Sequence, residues 1–320
     1  MIALGIESSN SRGMGHLFRA LLYVAYLREK REDFLFLIND DDTAKHVLQE
    51  RGVPYLLVDY SDTHSGWEKD LIRQNGITCW FNDKFDTSAE MGSHIKEAGI
   101  SLALIDDVGA GEKYADAVFL GMLCTGNRSY TCSRVYRGTE YVVLNPEIMK
   151  YRRKRVDAKK IVVCLGGSDT YGATVGVAEE LKKSGIKADI VIGPDFRFKE
   201  ELEKVNNGSY KVFQNVPSLI ELFSRYDLAI TGGGVTCCEA MASGLPCAVI
   251  ANEDHEAENG RYFEEKGCCI YLGTHKDWRK GGIERLKDLD VAAMSCRGME
   301  SFRFDAIEHI FTEVLTLGRE

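Results

Sequence analysis

Three consecutive glycines, Gly232, Gly233 and Gly234, run directly into Val235 and Thr236, with Glu239 one turn further on. They follow the apolar run 226–231 and open an apolar segment that closes on Gly244 and Pro246, the order of a strand, a turn and a helix. Such a turn keeps side chains out of the way of a pyrophosphate, and the free N–H groups and positive end of the following helix point at it. Glu239, inside that helix, is placed to accept hydrogen bonds from two neighbouring ribose hydroxyls. The chemistry these residues suit is recognition of a nucleoside diphosphate.

A second glycine loop lies near the N-terminus, where Gly13, Gly15 and His16 follow the apolar strand 2–6, and Arg19 comes one turn later. His16 stands at the start of a helix, at the carboxyl end of the first strand, the place where open α/β sheets bind ligands. A helix N-terminus disfavours an imidazolium, which suits the histidine to act as a base. Arg19 is placed to hold an anion or steer a carboxylate. The run Asn39-Asp40-Asp41-Asp42 contains a D-x-D pattern, read here as the cap of the helix 43–51. Asp106 and Asp107 close another strand at the same edge.

The elements that must position these residues repeat a simple pattern. Strands are predicted at 2–6, 34–38, 53–58, 77–81, 101–105 and 118–120, and again at 161–165, 188–194, 210–216, 226–231, 247–250 and 268–272. Helical segments are predicted at 173–183, 218–224 and 258–266, with an amphipathic one at 302–317. Strands alternating with helices imply parallel doubly wound sheets. The pattern breaks at Pro146 and the charged run 150–155, read as a solvated linker, so the expected domains are 1–147 and 158–298, followed by a C-terminal helical segment at 299–320. Two such halves would bind a nucleotide with an attached group in the cleft between them.

Composition excludes several classes. A chain of 320 residues, 44% hydrophobic and 28% charged, is that of a soluble protein long enough for two cores. It has no apolar run long enough to span a bilayer and no signal-like leader, so a cytoplasmic location without membrane insertion is expected. A net charge of −9 argues against a nucleic-acid partner. The 10 cysteines show no C-x-x-C spacing and read as reduced core residues, with no metal expected.

Taken in order, Gly13 to Arg19, Ile105-Asp106-Asp107, 141–147, Gly166-Gly167-Ser168-Asp169 and 232–246 resemble the motifs of the nucleotide-sugar hydrolases of pseudaminic acid biosynthesis and the related spore-coat polysaccharide proteins. The last stretch is also similar to the UDP-binding segment of the lipid-II-forming N-acetylglucosaminyltransferases. The resemblance implies a GT-B architecture, with the last helix crossing back to the first domain, and a metal-independent, cofactor-free, inverting hydrolysis of a UDP-linked 2,4-diacetamido-2,4,6-trideoxy sugar. It makes His16 the base, and gives UDP to Gly166, Gly167, Ser168, Gly233, Gly234, Val235, Thr236 and Glu239. Substrate contacts would come from Glu7, Gly13, Gly15, Arg19, Asp107, His255 and Glu256. The family's opening R-x-D reads Gly5-Ile6-Glu7 here, and its N-Q reads His255-Glu256. A monomer is expected. A GT-B glycosyltransferase and a nucleotide-sugar binding protein without turnover are the other two readings.

Overall fold

The computed structural model describes residues 1–8, 15–122, 128–166, 169–193, 196–214, 216–280 and 282–319. They form two compact units, one from residues 1–143 together with 304 onward, the other from 144–303.

In the first unit the strands are β1 (Ile2–Ile6), β2 (Phe34–Ile38), β3 (Leu56–Leu57), β4 (Cys79–Asp83), β5 (Ser101–Ile105), β6 (Ala117–Leu120) and β7 (Val135–Arg137). They form one parallel sheet in the order β3-β2-β1-β4-β5-β6-β7. Its helices are α1 (Gly15–Lys30), α2 (Asp42–Glu50), α3 (Trp67–Asn75) and α4 (Ala89–Glu97). Strand side chains alternate between faces, and the cores follow that parity. Leu4, Ile6, Phe36, Phe81, Ile105 and Phe119 pack with Leu17, Tyr23 and Leu27 of α1. Ala3, Leu37, Trp80, Leu102 and Val118 pack with Ile72 of α3 and Ile95 of α4. Asp83 shares the parity of Phe81 and so faces α1, whereas Asn82 faces α4. Gly5 pairs with Asn82 across β1 and β4, and a Cβ there would stand 2.1 Å from the Asn82 amide oxygen, so only glycine fits.

The second unit has β8 (Ile161–Cys164), β9 (Ala188–Ile192), β10 (Val212–Gln214), β11 (Leu228–Thr231), β12 (Cys247–Ala251) and β13 (Cys269–Thr274). They form a parallel sheet in the order β10-β9-β8-β11-β12-β13. Its helices are α5 (Ile148–Tyr151), α6 (Ala173–Lys183), α7 (Lys199–Asn206), α8 (Leu219–Phe223), α9 (Val235–Ala242), α10 (Asp254–Glu265) and α11 (Val291–Glu300). The last helix of the chain, α12 (Ala306–Leu317), packs Ile310, Phe311 and Val314 into the core of the first unit beside Tyr23 and Phe81.

Several local expectations change. The third strand shrinks from six residues to Leu56–Leu57, because at this sheet edge both side chains lie in solvent. The last helix of the chain begins at Ala306 rather than 302. The helix expected at 258–266 starts at Asp254, so His255 and Glu256 belong to its first turn; Asp254 and Glu256 there suit the positive end of the helix.

The basic run read as a solvated linker contains a buried residue. Arg155 is 1% exposed, and its guanidinium donates to the carbonyls of Phe223 at 3.1 Å, Tyr226 at 3.2 Å and Arg153 at 2.9 Å, and also to that of Ser243. Burial, then the neighbouring Arg153, pushes its pKa down to about 10. The physical reason is that the last turns of α8 and α9 end in orphan carbonyls, which a planar guanidinium can gather where water is excluded. Arg155→Leu, leaving four carbonyls without this donor, is expected to cost about 3 kcal/mol or more of stability in urea unfolding. A loss below about 1 kcal/mol would show that the carbonyls find other donors.

Candidate functional site

Both sheets reverse their strand order at one point, between β1 and β4 and between β8 and β11. In open parallel sheets the loops at the carboxyl ends diverge there and leave a crevice.

In the first unit that crevice is built on Asp83, the last residue of β4. Its carboxylate is fully buried and accepts from Arg19 Nε at 2.7 Å, Arg19 Nη2 at 2.5 Å and the Tyr23 hydroxyl at 2.8 Å. His16 Nδ1 lies 2.5 Å from Asp83 Oδ1. Three residues of α1, at positions 16, 19 and 23, thus present one helical face to one carboxylate. Burial alone would raise the Asp83 pKa. Arg19, followed by His16, outweighs it and holds the carboxyl well below the usual range. Arg19 is itself buried, and its remaining branch donates to Asp106 Oδ2 at 2.6 Å. Asp106 also accepts from the Met122 N–H at 2.8 Å, from a left-handed backbone with φ of +49°.

With Nδ1–H donating to Asp83, the neutral imidazole carries its lone pair on Nε2. The His16 side chain is 22% exposed, so it can meet a ligand. Gly15 beside it is exposed, and a Cβ there would meet no atom within 4 Å. Glu7, just beyond β1, lies 3.5 Å from the Nζ of Lys84, just beyond β4, and Lys84 also sits 4.3 Å over the Tyr60 ring. Lys84 is 5% exposed.

In the second unit, β11 leads through the three glycines into α9, whose N-cap, Gly234, has no side chain to cap it. A Cβ on Gly233 would stand 2.3 Å from the Glu256 carbonyl oxygen, so the first turn of α10 requires glycine there. Asn259 Nδ2 donates to the Gly233 carbonyl at 3.1 Å, and the Glu256 carboxylate accepts from the Asn252 N–H at 2.8 Å. Glu256 Oε1 would be 3.1 Å from a Cβ on Gly234. Glu239 has a carboxylate with no hydrogen-bond partner among the described residues, and burial pushes its pKa up to about 7.

The other helix at this switch point differs. Asp169 accepts from Ala173 N–H at 2.9 Å and Thr174 N–H at 2.8 Å, so a buried carboxylate already fills the start of α6. Among the described residues, the first N–H groups of α9 have no acceptor, whereas those of α6 already hold the Asp169 carboxylate. Beyond β8 and β13, Tyr171 stacks on His275 with ring centroids 3.7 Å apart and planes 3° from parallel.

The structure therefore brings together His16, Glu7 and Gly15 around the first crevice, and Gly166, Gly233, Gly234, Val235, Thr236, Glu239, His255 and Glu256 at one edge of the second sheet. Gly13, Gly167 and Ser168 lie outside the described residues. Two expectations are corrected. Arg19 is tied to Asp83 and Asp106 rather than offered to an anion. Asp107 is fully buried, its carboxylate taking the Thr87 N–H at 3.1 Å, the Thr87 hydroxyl at 2.5 Å and the Gly109 N–H at 2.7 Å. It fixes the loop after β4 instead of facing a ligand. Asp83 and Lys84 escape the sequence reading; the only signal was the polar run Asn82-Asp83-Lys84 closing an apolar strand, the same signal that drew attention to Asp106 and Asp107.

Because the folded pKa of Asp83 is depressed, the stability it contributes is complete above the ordinary aspartate range and is lost as pH falls below about 4. Asp83→Asn is expected to cost about 3–5 kcal/mol at neutral pH, as for breaking any buried ion pair, and to reduce the loss of stability between roughly pH 4 and 2. Denaturant unfolding followed against pH measures both. An unchanged acid profile would mean that another carboxylate governs it.

Comparison with known proteins adds four findings. Residues 161–279 match the family model described as the glycosyltransferase family 28 C-terminal domain. The chain is 26% identical over 279 residues to an uncharacterized protein of Methanocaldococcus jannaschii, covering 80% of this chain but only 57% of that one. It is 24% identical over 288 residues to the spore coat polysaccharide biosynthesis protein SpsG of Bacillus subtilis, covering 85% and 83% respectively. Among solved structures, MurG of Acinetobacter baumannii superposes with a TM-score of 0.70 at 13% identity, over 98% of this chain and 99% of that one. Together with the two parallel sheets, these likenesses establish a GT-B fold.

Proposed function

We propose that the protein is a metal-independent, inverting hydrolase of a UDP-linked acetamido sugar, with the diacetamido-trideoxy sugars as first candidates. The observation that carries this reading is the His16 imidazole clamped through Nδ1 on a buried, ionised Asp83, an arrangement that fixes the ring and leaves Nε2 to take a proton. The similarity to SpsG over most of both chains supports a substrate drawn from polysaccharide biosynthesis.

In this mechanism, His16 Nε2 removes a proton from water as the water oxygen attacks the anomeric carbon. The bond from that carbon to the UDP oxygen breaks on the opposite face, which inverts the centre. Asp83 stabilises the imidazolium that forms. The charge developing on UDP is met by the open N–H groups of Gly234, Val235 and Thr236 at the start of α9. Glu239, when ionised, accepts from the ribose hydroxyls. Gly15 leaves space beside the base, and Glu7 with Lys84 offers polar contacts to the sugar, as do His255 and Glu256. Transfer to a hydroxyl instead of water is the second reading, favoured by the family 28 match over residues 161–279. Only the acceptor distinguishes it.

Incubating the purified protein with a panel of UDP-linked acetamido sugars, with and without candidate acceptors, tests the reading. Release of UDP and free sugar without acceptor is expected. His16→Ala should lower turnover by about 10²-fold or more while leaving UDP affinity within about twofold. No UDP release from any sugar defeats the proposal, and strict dependence on an acceptor transfers it to the glycosyltransferase.

A second test uses the raised Glu239 pKa. Only the ionised carboxylate accepts from both hydroxyls, so UDP affinity should rise between pH 6 and 8, around the value of about 7. In Glu239→Gln the rise should shrink to the part owed to the phosphates themselves. Equal slopes in the two proteins would remove Glu239 from the ribose site.

A further inference from the structure

The opposite edge of the second sheet, where its strands begin, carries a different chemistry. The residues that lead into β8, β9 and β10 are Lys160, Lys187 and Lys211. Register pairs Ile161 with Ala188, so Lys160 and Lys187 enter side by side, and the Ile190 N–H donates to the Lys211 carbonyl at 2.8 Å, which brings the third lysine alongside. All three are exposed and line one open cavity of about 430 Å³, together with Lys159 and Arg225.

The charges in this cavity do not cancel. Lys159 pairs with Asp157 at 2.6 Å and Arg225 with Glu221 at 2.8 Å. Asp189, the one acid in the lining, accepts from the Tyr226 hydroxyl at 2.7 Å. Lys211 rests over the Phe213 ring at 4.4 Å. Asp227 accepts from the Lys160 backbone N–H at 3.0 Å and pairs with Arg153 at 3.0 Å. Among the described residues the ammonium groups of Lys160 and Lys187 have no carboxylate partner, in a chain whose net charge is −9. Like charges on adjacent strands repel, and a counter-anion reverses that penalty. A lysine ammonium is a compact point charge suited to phosphoryl oxygens, and three of them exceed what one carboxylate would neutralise.

We propose that this cavity is a second anion site, taking a small polyphosphate of the pyrophosphate class. It is distinct from the glycine turn, which follows β11 at the other end of the same sheet. The inference does not depend on the function proposed above.

Calorimetric titration of inorganic pyrophosphate at 0.15 M salt tests it, with the full chain held in saturating UDP to block the glycine turn. One pyrophosphate per chain is expected to bind regardless of UDP. The double variant Lys160→Ala/Lys187→Ala should weaken that binding at least tenfold and leave UDP affinity unchanged. Lys160→Arg/Lys187→Arg should retain it, which separates a charge effect from a folding defect. Orthophosphate and chloride at equal ionic strength should compete poorly. Pyrophosphate binding that UDP abolishes, that the alanine variant retains, or that chloride matches overturns the proposal. If UDP fails to bind at all, the nucleotide reading falls, while the comparison of wild type with the two double variants still decides this site.

Discussion

A buried carboxylate must find positive partners or lose its charge, and Asp83 meets that demand through Arg19. The demand organises the first unit. Arg19 reaches Asp83 because parity along β4 turns that side chain toward α1, and Arg19 is in turn shared with Asp106 at the end of β5. One guanidinium therefore fastens the ends of two strands to one helix. His16 and Tyr23, one turn either side of Arg19, complete the set. The histidine orientation follows from an ion pair whose first task is to stabilise the fold. Tyr23 also packs edge-on against Phe81 at 5.4 Å, so the polar cluster is continuous with the apolar core.

The second unit solves a different problem, how to leave a helix end open. Two helices begin at its switch point, and their first turns carry the same unsatisfied N–H groups. Asp169 occupies one of them from within, whereas the glycines before α9 supply no such group. The glycine run has two causes. At Gly233 it permits the backbone of α10 to approach, a packing requirement that would exist without any ligand. At Gly234 it leaves the start of α9 uncapped, which packing alone does not require. The first turn of α10 brings Glu256 against the same glycines, so an acidic side chain edges the open N–H groups.

Much of the architecture is legible in the chain because a buried parallel strand has to be a short, almost unbroken apolar run. Phe34–Ile38, Ser101–Ile105 and Ile2–Ile6 are such runs and fold as the strands expected of them. The edge strand Leu56–Leu57 and the short β7 are harder to read, since edge strands share composition with loops. The polar helix α3 carries its apolar residues too sparsely to stand out. Arg155 shows the opposite failure: in a run of lysines and arginines, nothing local marks the one that is buried.

By itself the sequence determined which residues could do chemistry near one another along the chain. His16 with Arg19, and the glycines with Glu239, are separated by a single helical turn, and local periodicity fixes such neighbours. Tertiary structure alone decided which of them meet a partner from elsewhere. Asp83 is 67 residues from His16 and joins it only because β1 and β4 lie side by side. The same pairing tied Arg19 to Asp83, and the loop after β4, through Thr87, took up Asp107. Sheet order is set by how whole strands share a core, and no local spacing records it.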